Sequence, residues 1–498
     1  MTWLKSIRGG QLKFLSREQI LDIHYATLEV LEQTGVNIKS EKALRVLEKA
    51  GAEVNPKQQI AKIPPHLVEE AIRKNPPRFT LHGRNSLKKC KFEDGRVYFS
   101  VSGAPPYVLD LDGIRRRATY QDIENLIKIT DALEYIHIAG AILPGAVEEI
   151  GVPEPVTMAR RFLLRLKNTD KPGLATDAFV FAANDAIRLQ AAVMGGIEEL
   201  QRKPIGWMWS NPVAPLMHSK EQTDSVVVYA EQGLPILFAS EVMGGVSGPA
   251  TLGGILVQQN AEVLSGLTIA QMAASPQRRP PVLYGCVSHV VDMRSGVCAL
   301  GSPESGLLNA ASAQLARYYG MASRGTGGTT DAIIPDIQAG YESAMGALIC
   351  ALAGINFVFN SSGGVEPGVL AISYEKQVTD NDMLGMITRI LEGITIDDDT
   401  LAVDEIHKIA PLVWRGESNY LYSKHTSAYF RTEHFFPPIL SREMFENWKK
   451  AGGRSLRKVA RERAMQILAE HEPEPLDPDI ENAVNEIVRD IEQREIKG

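Results

Sequence analysis

The chain has 498 residues, with 53 basic and 60 acidic side chains and a formal net charge of −7, and no Lys/Arg stripe of the kind that tracks a phosphate backbone, so a nucleic-acid partner is not expected. Its four cysteines, Cys90, Cys286, Cys298 and Cys350, are widely spaced, without a Cys-x-x-Cys pair or companion histidines at zinc spacing, which points to reduced thiols in a cytoplasmic protein and to no bound metal. No run of about 18 apolar residues occurs and residues 1–17 lack a signal-peptide core, so neither membrane insertion nor export is expected.

Along the chain, Ser16 stands as an N-cap before an apolar helical period over residues 20–31. Shorter helical patterns cover 41–49 and 64–74, and Pro76 with Pro77 closes the segment. Residues 1–95 therefore read as a helical N-terminal extension. From residue 96 short apolar or small-residue runs alternate with longer amphipathic ones, the signature of βα units. The strand candidates are 97–102, 136–143, 173–176, 205–210, 235–241, 282–288, 322–326 and 355–361. The helix candidates are 121–133, 155–166, 178–194, 220–232, 257–274, 304–319, 338–353 and 380–391, the last stopped by Gly393. Eight successive units predict an α/β fold, a (β/α)8 TIM barrel over residues 96–396, with a doubly wound open sheet as the rival. Residues 397–498 form a charged, helical C-terminal extension that either covers the barrel or mediates oligomer contacts.

In such a fold, chemistry gathers where strands end and βα loops begin. Those positions are rich in small residues: Gly244-Gly245-Val246-Ser247-Gly248-Pro249, Gly327-Gly328-Thr329-Thr330-Asp331 and Ser361-Ser362-Gly363-Gly364. They read either as turn glycines or as backbone that lets a ligand come close. None has the pattern of a phosphate-binding loop, so no nucleotide cofactor is expected. Aromatic residues recur on the strands. Tyr98 alternates with Ser100 and Ser102, Trp207 shares a face with Trp209, Phe357 shares one with Phe359, and Tyr284 lies on the sixth predicted strand, with Tyr107 following the first. Aromatic faces attract a quaternary ammonium, which has no N–H to donate, although each such residue also reads as ordinary core packing. The polar candidates are Glu241, His289, Asp292, Arg324, Asp331 and Asn360. Arg324 suits a two-pronged contact with a carboxylate; for every one of them the plainer reading is a loop-stabilising hydrogen bond or ion pair.

Several separated motifs, in order, resemble those of the trimethylamine methyltransferase superfamily: Phe14-Leu15-Ser16 through Thr34-Gly35-Val36, Gly248-Pro249-Ala250-Thr251-Leu252-Gly253-Gly254, Asp292-Met293-Arg294-Ser295-Gly296, Asp336-Ile337-Gln338-Ala339-Gly340-Tyr341-Glu342 and His425-Thr426. The resemblance spans about residues 14–480. It implies a (β/α)8 fold, methyl transfer to the cobalt of a corrinoid (cobalamin) carried by a cognate partner protein, and a homo-oligomer. The archaeal trimethylamine enzymes of the family carry pyrrolysine, but here no lysine occurs between Glu221 and Glu375. The chain therefore resembles the pyrrolysine-lacking branch, which is associated with quaternary amines such as glycine betaine, proline betaine and carnitine. On that reading Tyr98, Tyr107, Trp209, Tyr284, Arg324, Phe357 and Phe359 are the candidate substrate contacts, and Glu241, His289, Asp331 and Asn360 the candidate catalytic groups. Two alternatives stay open: a non-catalytic osmolyte-binding or corrinoid-partner protein, and a barrel lyase using Glu241 and His289 as an acid–base pair.

Overall fold

Six short runs, YFSV, MWS, ILFAS, VLYGC, SRGT and FVFNSS, are buried along their whole length, as strands covered on both faces must be. In the computed structural model, which describes residues 7–497 apart from 86, 94, 104, 140–144 and 174–181, they are β1 (Tyr98–Val101), β2 (Met208–Ser210), β3 (Ile236–Ser240), β4 (Val282–Cys286), β5 (Ser323–Thr326) and β6 (Phe357–Ser362). They pair in parallel in the order β1-β6-β5-β4-β3-β2. Helices Lys220–Gln232, Leu252–Ala273, Pro303–Tyr318 and Ile337–Ala353 fall between successive strands from β2 to β6, and Tyr374–Glu392 follows β6. Thr251, Ser302, Asp336 and Ser373 cap four of these helices by accepting from backbone N–H groups of the first turn.

The sheet curls strongly. Trp207 and Trp209 on β2 reach Phe357 and Phe359 on β6, with ring centroids 4.9 and 4.8 Å apart, although three strands separate β2 from β6 in the sheet. On the convex side Met208, Ile236, Phe238, Val282 and Tyr284 pack under the helices. Contact there is close: a Cβ at Gly266 would lie 2.4 Å from the Phe238 ring. A second core, with Tyr98, Trp207, Trp209, Leu237, Ala239, Leu283, Ala322, Phe357 and Phe359, fills the concave side.

One end of that concave side is closed by a hairpin. Strands Phe79–His82 and Lys89–Phe92 contribute Leu81, Cys90 and Phe92 to the concave core. His82 N–H donates to the Pro204 carbonyl, Lys91 N–H donates to the Tyr98 hydroxyl, and the Asn356 side chain donates to the Glu93 and Arg96 carbonyls. All of these partners stand at strand beginnings, so the end that the hairpin leaves uncovered is the one where the strands finish.

The expectation of a helical extension over the first ninety residues needs correcting. Helices Arg17–Glu29, Glu41–Ala50 and Pro65–Lys74 are there, the first behind a Ser16/Gln19 capping box. Between them strands Val36–Ile38, Glu53–Asn55 and Ile60–Lys62 form a small sheet with Met217–His218, and the hairpin follows. Three-residue strands are too short to show a period of two in the sequence.

Of the predicted strands 136–143 and 173–176, most of the second and half of the first lie outside the described residues. What is described there is a parallel bridge of Ser100 with Ile138, and hydrogen bonds from Ala139 N–H to the Pro172 carbonyl and from Gly173 N–H to the Ile205 carbonyl. At the C-terminal end, helix Leu456–Glu470 packs on Tyr374–Glu392 and Tyr120–Ala132, and Pro478–Lys497 packs on Glu154–Asn168 and Ala183–Met194.

Candidate active site at the open end of the sheet

The concave face narrows to one charged group. Arg324 on β5 is 2% exposed and lies beside Gly285 of β4 in the parallel register. A Cβ at Gly285 would come within 2.4 Å of the Phe238 carbonyl oxygen, so glycine keeps β3 and β4 close there. The guanidinium donates through Nη1 to the Cys286 carbonyl and to Thr326 Oγ1, both at 2.6 Å. Its carbon stands 5.2 Å from the Trp209 ring centre and 4.9 Å from that of Phe359. Nε is buried with no hydrogen-bond partner, and among the described residues no carboxylate comes within ion-pairing distance. Burial lowers the Arg324 pKa to about 10, and the negative charge of Glu241 works against that shift.

A buried cation held by a carbonyl and a hydroxyl, with the Nε edge unused, is costly unless an anion completes it. The Nε–Nη2 edge is the fork that grips a carboxylate in bidentate fashion. The two rings beside it are fixed. Trp209 is 5% and Phe359 6% exposed, and the Trp209 indole N–H donates to Asn211 Oδ1 at 2.7 Å.

The other expected site residues are distributed unevenly. Tyr98 and Phe357 face the concave side, but at its closed end, where Tyr98 meets the hairpin and Phe357 meets Trp207. Glu241 is exposed just past the end of β3. His289 is fully buried after β4; its Nδ1 lies 2.9 Å from the Val287 carbonyl and its Nε2 has no partner. Asn360 sits on β6 at a φ of 58° and accepts from Gly103 N–H at 3.2 Å. Asp331 follows β5 and accepts from the Leu300 and Gly301 N–H groups, both at 3.1 Å, which ties the loops after β4 and β5 together. Burial raises its pKa to about 6.

Two expected substrate contacts are not on the concave face. Tyr284 is on the convex side of β4, where its hydroxyl donates to Asn260 Oδ1 at 3.0 Å beneath helix Leu252–Ala273. Alternation explains this: with Leu283 inward, Tyr284 must point outward. Tyr107 belongs to a separate strand, Tyr107–Leu109, and its ring is already covered by the Arg115 guanidinium at 3.7 Å.

Sequence reasoning passed over Glu262. It is the single charged residue of helix Leu252–Ala273, an isolated carboxylate in an apolar run, and that was the available signal. Fully buried, it accepts from Ser240 Oγ at 2.6 Å, from Leu216 N–H at 3.0 Å and from Gln258 Nε2 at 3.0 Å. It thereby fixes the end of β3, just before Glu241, to the loop that follows β2. Burial raises its pKa.

All four cysteines are free. Among the described residues no three His, Cys, Asp or Glu side chains gather as metal ligands, and no helix is long and apolar enough to cross a membrane.

Comparison with known proteins agrees over nearly the whole chain. Residues 3–496 match the family model described as trimethylamine methyltransferase (MTTB). A glycine betaine methyltransferase of Desulfitobacterium hafniense (strain Y51) is 35% identical over 476 residues, which is 95% of this chain and 96% of the relative. The trimethylamine methyltransferase MttB of Desulfitobacterium hafniense (strain DSM 10664 / DCB-2) is 32% identical, covering 98% of this chain and 95% of that one. The MttB of Methanosarcina barkeri is 33% identical, covering 97% and 96%. The chain belongs to the trimethylamine methyltransferase (MTTB) family.

Proposed function

We propose that this protein takes a methyl group from a quaternary amine bearing a carboxylate, with glycine betaine the favoured substrate, and passes it to a corrinoid held by a separate partner protein, working in the cytoplasm as a homo-oligomer. The observation that carries the substrate is the buried Arg324, with no carboxylate partner of its own and Trp209 and Phe359 against it. The relatives described as glycine betaine and trimethylamine methyltransferases support methyl transfer from an amine. The corrinoid partner and the homo-oligomer rest on the family resemblance, and the absence of pyrrolysine from the chemistry rests on the lysine-free stretch between Glu221 and Glu375.

Charge decides between amines. Two cations about 6 Å apart repel by about 3 kcal/mol at an effective dielectric of about 20. A substrate without an anion, such as trimethylammonium or choline, would stand its charge beside a bare guanidinium. A betaine supplies the carboxylate that neutralises Arg324 and leaves its ammonium free for the aromatic faces. When the C–N bond breaks, its electron pair stays on nitrogen and a neutral tertiary amine leaves, so no proton donor is required. The reduced corrinoid supplies the nucleophile. What this chain contributes is position: the carboxylate is fixed deep, the methyl faces the open end, and the packed rings exclude water. Because positive charge on nitrogen falls as the bond breaks, two aromatic walls suit the reaction better than a full cage.

The sheet is proposed to close into the expected (β/α)8 barrel. Supporting this are the Ser100–Ile138 bridge and the single hydrogen bonds of Ala139 with Pro172 and of Gly173 with Ile205, which step from β1 toward β2 across the open side of the six strands.

The test supplies Co(I) cobalamin with glycine betaine, choline, tetramethylammonium or trimethylamine and follows cobalt methylation by absorbance. Methylation with the betaine and at least 10-fold less with the amines that lack a carboxylate is expected. Inertness toward every betaine alongside turnover of another donor would sink the proposal.

A further inference from the structure

Just past the end of β3, Glu241 is exposed, and among the described residues no cation comes within ion-pairing distance of it. Its direction follows from its two neighbours. The Ser240 hydroxyl donates to Glu262 of helix Leu252–Ala273, and Val242 is buried in the core on the same convex side. With both of them facing outward, alternation turns Glu241 to the concave side, in line with Leu237 and Ala239.

Arg324 faces that side from β5. Ala239, Gly285 and Arg324 stand level with one another across β3, β4 and β5, and the two small residues put no bulk between Glu241 and the guanidinium. Glu241 lies two residues further toward the open end, so strand spacing and rise set the two Cα atoms roughly 12 Å apart. The charges act on each other without meeting, since that of Glu241 works against the burial shift of Arg324. On the other side of the mouth burial, Asp331 and Glu241 together push up the Cys298 thiol of strand Val297–Ala299. Asp331 is already occupied by the Leu300 and Gly301 N–H groups.

We propose that Glu241 sets substrate specificity as the second charged contact of the site: with the betaine carboxylate held deep by Arg324, the ammonium lies between the guanidinium and the Glu241 carboxylate. The pair then reads a zwitterion from both ends, cation against carboxylate inside and carboxylate against cation at the mouth. The assignment deepens the carboxylated-amine reading above and rests on it. It also fixes the stage at which Glu241 acts. The ammonium carries its full charge only before transfer; as the C–N bond breaks, the electron pair stays on nitrogen and the attraction lapses. Glu241 therefore tightens substrate binding more than it stabilises the transition state, and it lets the neutral amine go.

The experiment uses the full chain, Glu241→Gln and Glu241→Asp, with glycine betaine and with tert-butylacetate, which has carbon in place of the ammonium nitrogen and keeps the carboxylate. Glu241 is exposed, so both variants should keep the melting temperature of the parent. By calorimetry Glu241→Gln should weaken glycine betaine binding about 5-fold, the modest effect of a charge that water partly screens, and should leave tert-butylacetate unchanged. Glu241→Asp, which keeps the charge, should recover most of the betaine affinity. With Co(I) cobalamin as methyl acceptor, Glu241→Gln should raise KM for glycine betaine by the same factor while kcat does not fall. Unchanged betaine affinity, a fall in kcat at constant KM, or equal weakening of tert-butylacetate would each overturn the assignment and leave the role of Arg324 standing. A parent chain that binds no betaine overturns the substrate reading itself, and Glu241 with it.

Discussion

The concave face of the sheet and the arm around helix Val403–Trp414 both present tryptophan, to opposite ends. Trp209 is 5% exposed, locked by Asn211 and by the edge of Phe359; Trp414 is 82% exposed. A buried aromatic residue beside an unsatisfied cation is what the proposed substrate site calls for. An exposed one on a helix that buries only Ile409 adds little to the packing of its own chain. The sharpest way to break the comparison is to truncate both. Trp209→Ala should lower the free energy of unfolding by about 3–5 kcal/mol, since it leaves a cavity among Trp207, Phe357 and Phe359. Trp414→Ala should change it by less than about 0.5 kcal/mol at dilutions where copies are apart. Urea unfolding measures both; equal losses would mean that the arm is packed by its own chain.

Arg324 sharpens the comparison from the side of function. Arg324→Met keeps the length of the side chain and removes the charge, so a betaine loses its carboxylate anchor while the aromatic walls stay. A drop in kcat/KM for glycine betaine of about 100-fold is expected, equivalent to about 3 kcal/mol. Tetramethylammonium should lose nothing or gain, because the repelling cation is gone. A parallel loss for both substrates would make Arg324 a structural cation and remove the argument for a carboxylated amine.

Part of this is legible in the sequence. The six strands of the sheet appear within a few residues of the apolar runs, and helix Lys220–Gln232 coincides with its expected bounds, because buried parallel strands and amphipathic helices leave strong periods. Tyr98 alternates with Ser100 and Ser102, opposite Val97, Phe99 and Val101, and that pattern agrees with its place on the concave side. Tyr284, a candidate substrate contact, points away from the concave face toward Asn260: its neighbours Leu283 and Gly285 give no polarity contrast, so only packing shows its face. That Arg324 has no carboxylate partner is illegible in the sequence for another reason. Whether a cation has a partner depends on groups far away in sequence, here Cys286 on β4 and Trp209 on β2. Glu262 left a trace, a single carboxylate in an apolar helix, whose meaning required the contacts with Ser240 and Leu216.

The smallest expected effect concerns the rim of the site. Burial raises the Asp331 pKa from 3.8 to about 6, so the folded protein holds this proton more tightly than the unfolded chain does. The resulting stabilisation is fully present below pH about 3.8 and is lost as pH rises through about 6. Around neutrality the carboxylate is charged, and its burial is then offset only in part by the Leu300 and Gly301 N–H groups. Asp331→Asn has no such proton to lose. Relative to the parent, the variant should therefore have a higher melting temperature at pH 7 than at pH 5, by a degree or two for a chain of this length. A melting difference between parent and variant that is the same at both pH values would show that Asp331 is already ionised at pH 5, and that its two backbone donors outweigh its burial.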